Sequence, residues 1–160
     1  MTISIRPVRP EDAAALAQIM IAAWRSGFRG ILSGDTIDKY TQFPPCQEMF
    51  TQLLASGAGT MYLAKGDGQP LGLLFWLEEE NRTARIEAIL TCPEAWGKGI
   101  AAALMERCVT DAKAAGYDTL QVWPFAENHR AKRFYEKHRF LPTGNTRMGD
   151  ALEEEYINYF

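Results

Sequence analysis

The stretch from Ile86 to Leu104, IEAILTCPEAWGKGIAAAL, constrains the fold of this chain more than any other. An apolar, strand-like run stops at Pro93, a turn carrying Gly97 and Gly99 follows, and an Ala/Leu-rich helix starts at once. The start of a helix has unpaired backbone N–H groups and the positive end of the helix dipole. A turn stripped of side chains there lets a phosphate or pyrophosphate reach both. Lys98 adds a cation at the same place. The segment therefore predicts a phosphorylated small molecule or cofactor as partner.

Around this junction the periodicity sets out the other elements. Thr2 to Arg6 alternates as a short strand. Pro10, Glu11 and Asp12 open a helix to about Trp24, with Leu16, Ile19, Met20 and Ala23 on one stripe. Ser26 to Gly34 is broken by glycines, and Asp35–Phe43 and Cys46–Leu54 read as two short helices split by Pro44-Pro45. Thr60–Lys65, a Gly66-Asp67-Gly68-Gln69 turn and Leu71–Leu77 read as a hairpin; Asn81-Arg82 is a second turn, into the strand Ala84–Leu90. The helix after the glycine turn runs to about Ala115 and stops at Gly116. Thr119–Trp123 is a strand ended by Pro124, Asn128 caps a helix to about His138, and Phe140 and Leu152–Tyr159 supply two closing strands. With no linker or repeat, residues 1–160 are expected to form one mixed α/β domain.

Composition bounds the partners. At 47% hydrophobic and 23% charged residues the chain is expected to bury a sizeable core rather than stay disordered. A formal net charge of −3 argues against a nucleic-acid partner. Arg130, Lys132, Arg133, Lys137 and Arg139 do cluster, either as a solvated helix face or as a phosphate-reading patch. Cys46, Cys92 and Cys108 lack CxxC spacing, so reduced thiols, no metal site and a cytoplasmic location are expected. The opening MTISIRPVRPEDAAAL has no signal-peptide core, and runs such as Leu71–Leu77 fall far short of the ~20 residues of a membrane span. No membrane partner is expected.

Gly97-Lys98-Gly99-Ile100-Ala101-Ala102 formally fits the dinucleotide fingerprint G-x-G-x-x-G/A. That fingerprint needs an acidic residue at the far end of the next strand, and Asp118 instead precedes its strand. The antiparallel meander upstream also fits a Rossmann unit poorly. Both observations argue against NAD.

The second informative segment is Asn128 to Phe140, NHRAKRFYEKHRF. Taken with the glycine turn, it resembles the GNAT superfamily of N-acetyltransferases. Their acetyl-CoA loop follows (Arg/Gln)-x-x-Gly-x-(Gly/Ala), and a later segment follows N-x-x-A-x-x-F-Y-x-K-x-G-F. The resemblance covers Thr2 to about Phe140 in element order. It implies the GNAT fold, a central mixed, twisted sheet of about seven strands flanked by helices. It also implies acetyl-CoA as cosubstrate, entering a V-shaped gap after Leu90.

Carried over residue by residue, Gly99 and Ala101 match the loop, with Gly97, Lys98 and Ile100 around them and Trp96 where the family has Arg or Gln. Backbone N–H groups hold the pyrophosphate in this family, and Trp96 still supplies one; its ring either covers the adenine or pantetheine or is an ordinary core or surface aromatic. Ile89, Leu90 and Thr91 match the strand that pairs by main chain with pantetheine. Asn128 stands where an amide binds the pantetheine arm, and on its own it reads as a helix N-cap. Arg130 and Lys132 join the expected cofactor-binding set. Arg139 replaces the helix-ending glycine of the family, which predicts a positive φ.

Tyr135 matches the family's general acid, a phenol of pKa about 10 that protonates the departing thiolate. Its plainer reading is a core tyrosine beside Phe134. An alkyl ammonium of pKa about 10.4 must lose its proton before attack, at a cost of about 4–5 kcal/mol at neutral pH. Glu87, in an otherwise apolar strand, matches a glutamate that removes it in several family members. Burial there would suit a base, while a solvated face or an arginine partner would make the residue structural. Cys92 reads as structural and His138 as a surface residue.

Trp24-Arg25-Ser26-Gly27-Phe28 resembles the segment that shapes the acceptor pocket, and Trp24, Phe28, Tyr40 and Trp76 are candidate pocket walls or core. The expected activity is transfer of an acetyl group to a primary amine of a small molecule. The alternatives are a protein N-terminus or lysine as acceptor, or a non-catalytic acyl-CoA sensor. The apolar tail Tyr156, Ile157, Tyr159 and Phe160 suits either a homodimer contact or packing on the chain's own core.

Overall fold

The computed structural model describes all residues from Met1 to Phe160. Seven strands form one sheet in the order β1-β2-β3-β4-β5-β7-β6. They are β1 (Ile3–Pro7), β2 (Thr60–Gly66), β3 (Gln69–Glu78), β4 (Thr83–Thr91), β5 (Thr119–Val122), β6 (Leu141–Met148) and β7 (Leu152–Tyr159). Every neighbouring pair is antiparallel except β4 and β5, which run parallel. A parallel pair needs a crossover, and helix α4 (Ile100–Ala114) supplies it. The mixed α/β reading and its sheet therefore hold.

Successive residues of β2 face opposite sides of the sheet, yet Tyr62, Leu63 and Ala64 are all buried. Both faces are thus covered, which explains why β2 and β3 read as continuous apolar runs rather than alternating ones. On one face α4 lies so close to β3 that a Cβ at Gly72 would stand 2.9 Å from Ile100 Cγ2. Helices α1 (Ala13–Gly27) and α3 (Phe43–Ser56) pack together, and α1 lies against β3 and β4. Tyr62 donates its hydroxyl to Asp111 of α4 at 2.7 Å and accepts the Trp76 indole N–H at 3.0 Å. Burial opposes the charge on Asp111, but hydrogen bonds from Tyr62 and Arg107 hold its pKa below the ordinary carboxylate value.

Local readings change at two places. Pro44 and Pro45 do not separate a pair of helices; they occupy the first turn of α3, where a missing N–H costs nothing, and α2 (Gly34–Tyr40) ends earlier. Phe140 is a fully buried core residue before β6, and that strand runs on through the polar stretch to Met148. Both turn predictions are met by left-handed backbone: Asp67 and Gly68 at φ 49° and 81°, Asn81 and Arg82 both at 58°.

Candidate active site

The parallel pairing of β4 with β5 ends at Ile86 and Val122, while β4 continues to Thr91. Pro124 helps turn the other strand aside; Ala126 N–H and Glu154 N–H tie that segment to β7 instead. The result is a V-shaped split, which opens after Ile86 rather than after Leu90 as expected from the sequence. On its other edge β4 stays paired with β3, and Cys92 N–H reaches Leu71 O at 2.8 Å. Antiparallel alternation from that bond spends the N–H and C=O of Leu90 and Ala88 on β3. Those of Ile89 and Thr91 face the split, so the free main-chain donors flank Leu90.

Glu87 sits in a β-bulge: Ile86 pairs with Trp76 and Ala88 with Phe75, leaving Glu87 without a partner on β3. The bulge explains a charged residue within an apolar strand. Of the two surroundings the sequence left open, burial or a solvated face with an arginine partner, Glu87 takes the second: its side chain is 46% exposed and ion-paired with Arg85. Arg85 in turn binds Glu79 at 2.6 Å.

The glycine turn is built as its sequence predicts. Gly97 and Gly99 take φ 75° and 88°, the left-handed region that a side chain disfavours, and Gly99 is the N-cap of α4. No side chain caps the helix, and its first turn closes through Ala103 N–H to Gly99 O at 3.0 Å. The N–H groups of Ile100, Ala101 and Ala102 are left for an anion.

A cavity of about 470 Å³ lies over this turn and the split. Ile89, Leu90, Thr91, Trp96, Gly97, Gly99, Ile100 and Ala101 line it on one side, and Asn128, Arg130, Phe134, Tyr135 and His138 of the α5 region (α5, His129–Lys137) on the other. Asn128 Oδ1 accepts the Ala131 N–H at 3.2 Å, which caps α5 and leaves the amide NH₂ unspent. The Arg130 guanidinium lies 3.6 Å from the centre of the Trp96 ring.

A second cavity, of about 210 Å³, adjoins the first; Phe28, Ile89, Leu90, Asn128, Ala131 and Tyr135 line both. Its remaining walls include Trp24, Trp123, Phe125, Glu87, Arg147 and Glu153. Tyr135 thus stands where the two spaces meet. Its hydroxyl makes no hydrogen bond within the protein, and burial of the residue pushes its pKa above the ordinary phenol value. Arg139 adopts φ 72° as its position predicts, letting the chain turn so that Phe140 N–H meets Tyr135 O at 3.0 Å.

Several expected site residues lie elsewhere. Trp76 is 5% exposed inside the central strand β3, bound to Tyr62, and lines neither cavity. Tyr40 lies outside both cavities and backs Trp24 at 5.6 Å between ring centres. Lys132 turns away to β7, with Nζ 3.0 Å from Glu154 and 3.1 Å from Ala126 O. Lys98 points to solvent from its place between two left-handed glycines. His138 departs the other way: it is half-buried, stacks on Phe134 at 4.4 Å and lines the larger cavity. Burial there lowers its pKa. Cys92 is buried and its thiol is pushed up to about 11, which fits a structural residue.

Sequence reasoning missed Trp123, Phe125 and Arg147. The aromatic pair around Pro124 carried a signal in its composition; Arg147, alone in a polar stretch, carried none.

A sheet split beside a glycine turn, with two cavities meeting at a tyrosine, has the shape of a site for two ligands side by side, and likeness to known proteins gives the class as transferase. Residues 16–140 match the model of the acetyltransferase (GNAT) family. A probable N-acetyltransferase of Mycobacterium tuberculosis is 28% identical over 148 residues, covering 90% of this chain and 83% of that one. An uncharacterised N-acetyltransferase of Mycobacterium bovis is 30% identical over 112 residues, 68% of this chain and 70% of its own. Among solved structures, the PaiA N-acetyltransferase of Thermoplasma acidophilum, in complex with coenzyme A, aligns over all of both chains with a TM-score of 0.88 at 18% identity. This chain belongs to the GNAT family and is, by that membership, an N-acetyltransferase.

Proposed function

We propose that this chain moves the acetyl group of acetyl-CoA to the primary amine of a small molecule by direct attack. The observation that carries the reading is the pair of adjoining cavities with Tyr135 on their common wall. The larger suits the donor. Free N–H groups at the start of α4 fit a pyrophosphate, the open edge at Ile89 and Thr91 fits the amides of a pantetheine arm, and the unspent Asn128 amide fits one of its carbonyls. Bound acetyl-CoA supplies the activated acyl group.

The smaller cavity then holds the acceptor beside the thioester. Of the two free N–H groups, that of Ile89, a residue on both cavities, suits the oxygen on which charge builds during attack, and that of Thr91 is left to the pantetheine arm. Tyr135 keeps its proton at neutral pH, because burial disfavours the phenolate, and so can donate it to the departing thiolate. Glu87, on the wall of the acceptor cavity, takes the amine proton through an ordered water. Its exposure and its Arg85 partner disfavour a role as direct base.

A cavity of about 210 Å³ with aromatic walls favours a small molecule over a protein segment. The exposed edge strand β6, with Leu141 71% and Met148 74% exposed, supports pairing with a second copy of the chain. The test is thiol release from acetyl-CoA against a panel of primary amines, with mass detection of the N-acetyl product. Acetylated product is expected. Tight binding of acetyl-CoA with no turnover on any amine would favour a sensor instead.

A further inference from the structure

We infer that the acceptor is an amino acid in its zwitterionic form with an apolar side chain, and that Arg147 holds its carboxylate. This rests on the acetyl-transfer reading above and names the substrate class of the same site.

The acceptor cavity carries one cation on its wall, Arg147 of β6. A site built only for an ammonium has no use for an arginine, which repels the charge it must bind. Two contacts fix its guanidinium. Arg147 and Glu153 stand directly opposite in the β6–β7 register, and Nε donates to Glu153 Oε1 at 2.8 Å. The guanidinium also lies over the Trp123 ring at 4.4 Å. Neither terminal nitrogen of Arg147 has a partner in the protein. A planar fork held in place with its end donors unspent matches a carboxylate, which takes two parallel N–H···O bonds.

The rest of the wall completes the molecule. Glu87 lies on β4, across the split from β6 and β7, and offers negative charge for the ammonium. Trp24, Phe28, Trp123 and Phe125 leave an apolar space for the side chain. Glu153, also on the wall, fixes Arg147 and is a positioning residue.

The test uses the protein with free CoA, so that binding is read without turnover. Trp24 and Trp123 lie on the wall, so tryptophan fluorescence reports titration with phenylalanine, phenylalaninamide and 2-phenylethylamine. Phenylalanine is expected to bind about tenfold or more tightly than the two probes without a carboxylate, the scale of a charge-assisted pair. R147Q should erase that preference, with folding checked by its melting temperature, and R147K, a point charge without the fork, should keep some of it. Equal binding of the three probes, a preference untouched by R147Q, or no binding of phenylalanine or leucine overturns the inference. Acetylation of 2-phenylethylamine in preference to phenylalanine overturns it too, while leaving acetyl transfer intact. If acetyl-CoA itself neither binds nor turns over, the reading beneath fails, and the titration still decides the role of Arg147.

Discussion

Tyr135 is held by aromatic neighbours: Phe140 at 5.5 Å, Tyr156 at 6.5 Å and Phe134 at 5.6 Å between ring centres. That packing raises its pKa and aims an unpaired hydroxyl at the common wall of the two cavities. Tyr135→Phe should lower kcat by about a hundredfold to ten-thousandfold, the range of general acid catalysis, with acetyl-CoA affinity kept within about twofold. An unchanged kcat would remove the acid role. Lys132→Ala tests the opposite conclusion, that this lysine serves the fold: acetyl-CoA affinity should stay as it is, because Lys132 is spent on Glu154 and Ala126. A large rise in the acetyl-CoA Kd would return Lys132 to the cofactor set. At this scale the sequence made main-chain features legible, such as the glycine turn, the Asn128 cap and the positive φ of Arg139. Side-chain directions were less so. Nothing local says that Lys132 turns to β7 or that Glu87 meets Arg85, because both follow from which strand lies alongside.

The elements set the site through two departures from regular pairing, the bulge at Glu87 and the early end of the β4–β5 ladder. Pro124 made only the end of β5 readable, and the split itself came from the family resemblance; the bulge was hidden, since an extra residue shows only once the partner strand is in register. Gly72 is the contact that seats α4 against β3. A Cβ there would come 2.9 Å from Ile100 Cγ2 and 3.2 Å from both Leu104 Cδ1 and Leu90 O. Gly72→Ala should therefore destabilise the fold by about 1–3 kcal/mol and weaken acetyl-CoA binding as the start of α4 shifts. Calorimetry on the variant checks both, and a full-strength cofactor site with wild-type stability would contradict this packing account. The Pro44-Pro45 pair shows why boundaries mislead: proline both ends helices and begins them, and the sequence alone does not say which.

For the whole molecule, one ion pair ties the first strand to the start of α1. Asp12 accepts both terminal nitrogens of Arg6 at 2.8 and 2.9 Å and the Arg9 N–H at 2.7 Å. Hydrogen bonding from Arg6 leads in holding its pKa below the ordinary aspartate value. The unfolded chain, with an aspartate pKa of about 3.9, therefore takes up the proton first as pH falls. The stability this pair contributes is complete above about pH 5 and is lost as the pH drops through 3.9 toward the folded value. Asp12→Asn should cost about 1–3 kcal/mol at pH 7 and flatten the acid limb of the stability profile, read by urea unfolding between pH 3 and 7. An acid limb identical to wild type would show the pair to be inert. No helix of the chain is long and apolar enough to cross a membrane.

Acetyl-CoA binding bears most directly on the account, since every assigned role depends on the larger cavity accepting the donor. The measurement is thermal unfolding with and without acetyl-CoA at about 100 times its Kd, with NAD as the control. Ligand at that excess adds about 2.7 kcal/mol, and a chain of this size should melt roughly 5–10 °C higher. That rise is expected with acetyl-CoA and none with NAD. An unchanged Tm with acetyl-CoA, or an equal rise with NAD, would contradict donor binding in the larger cavity.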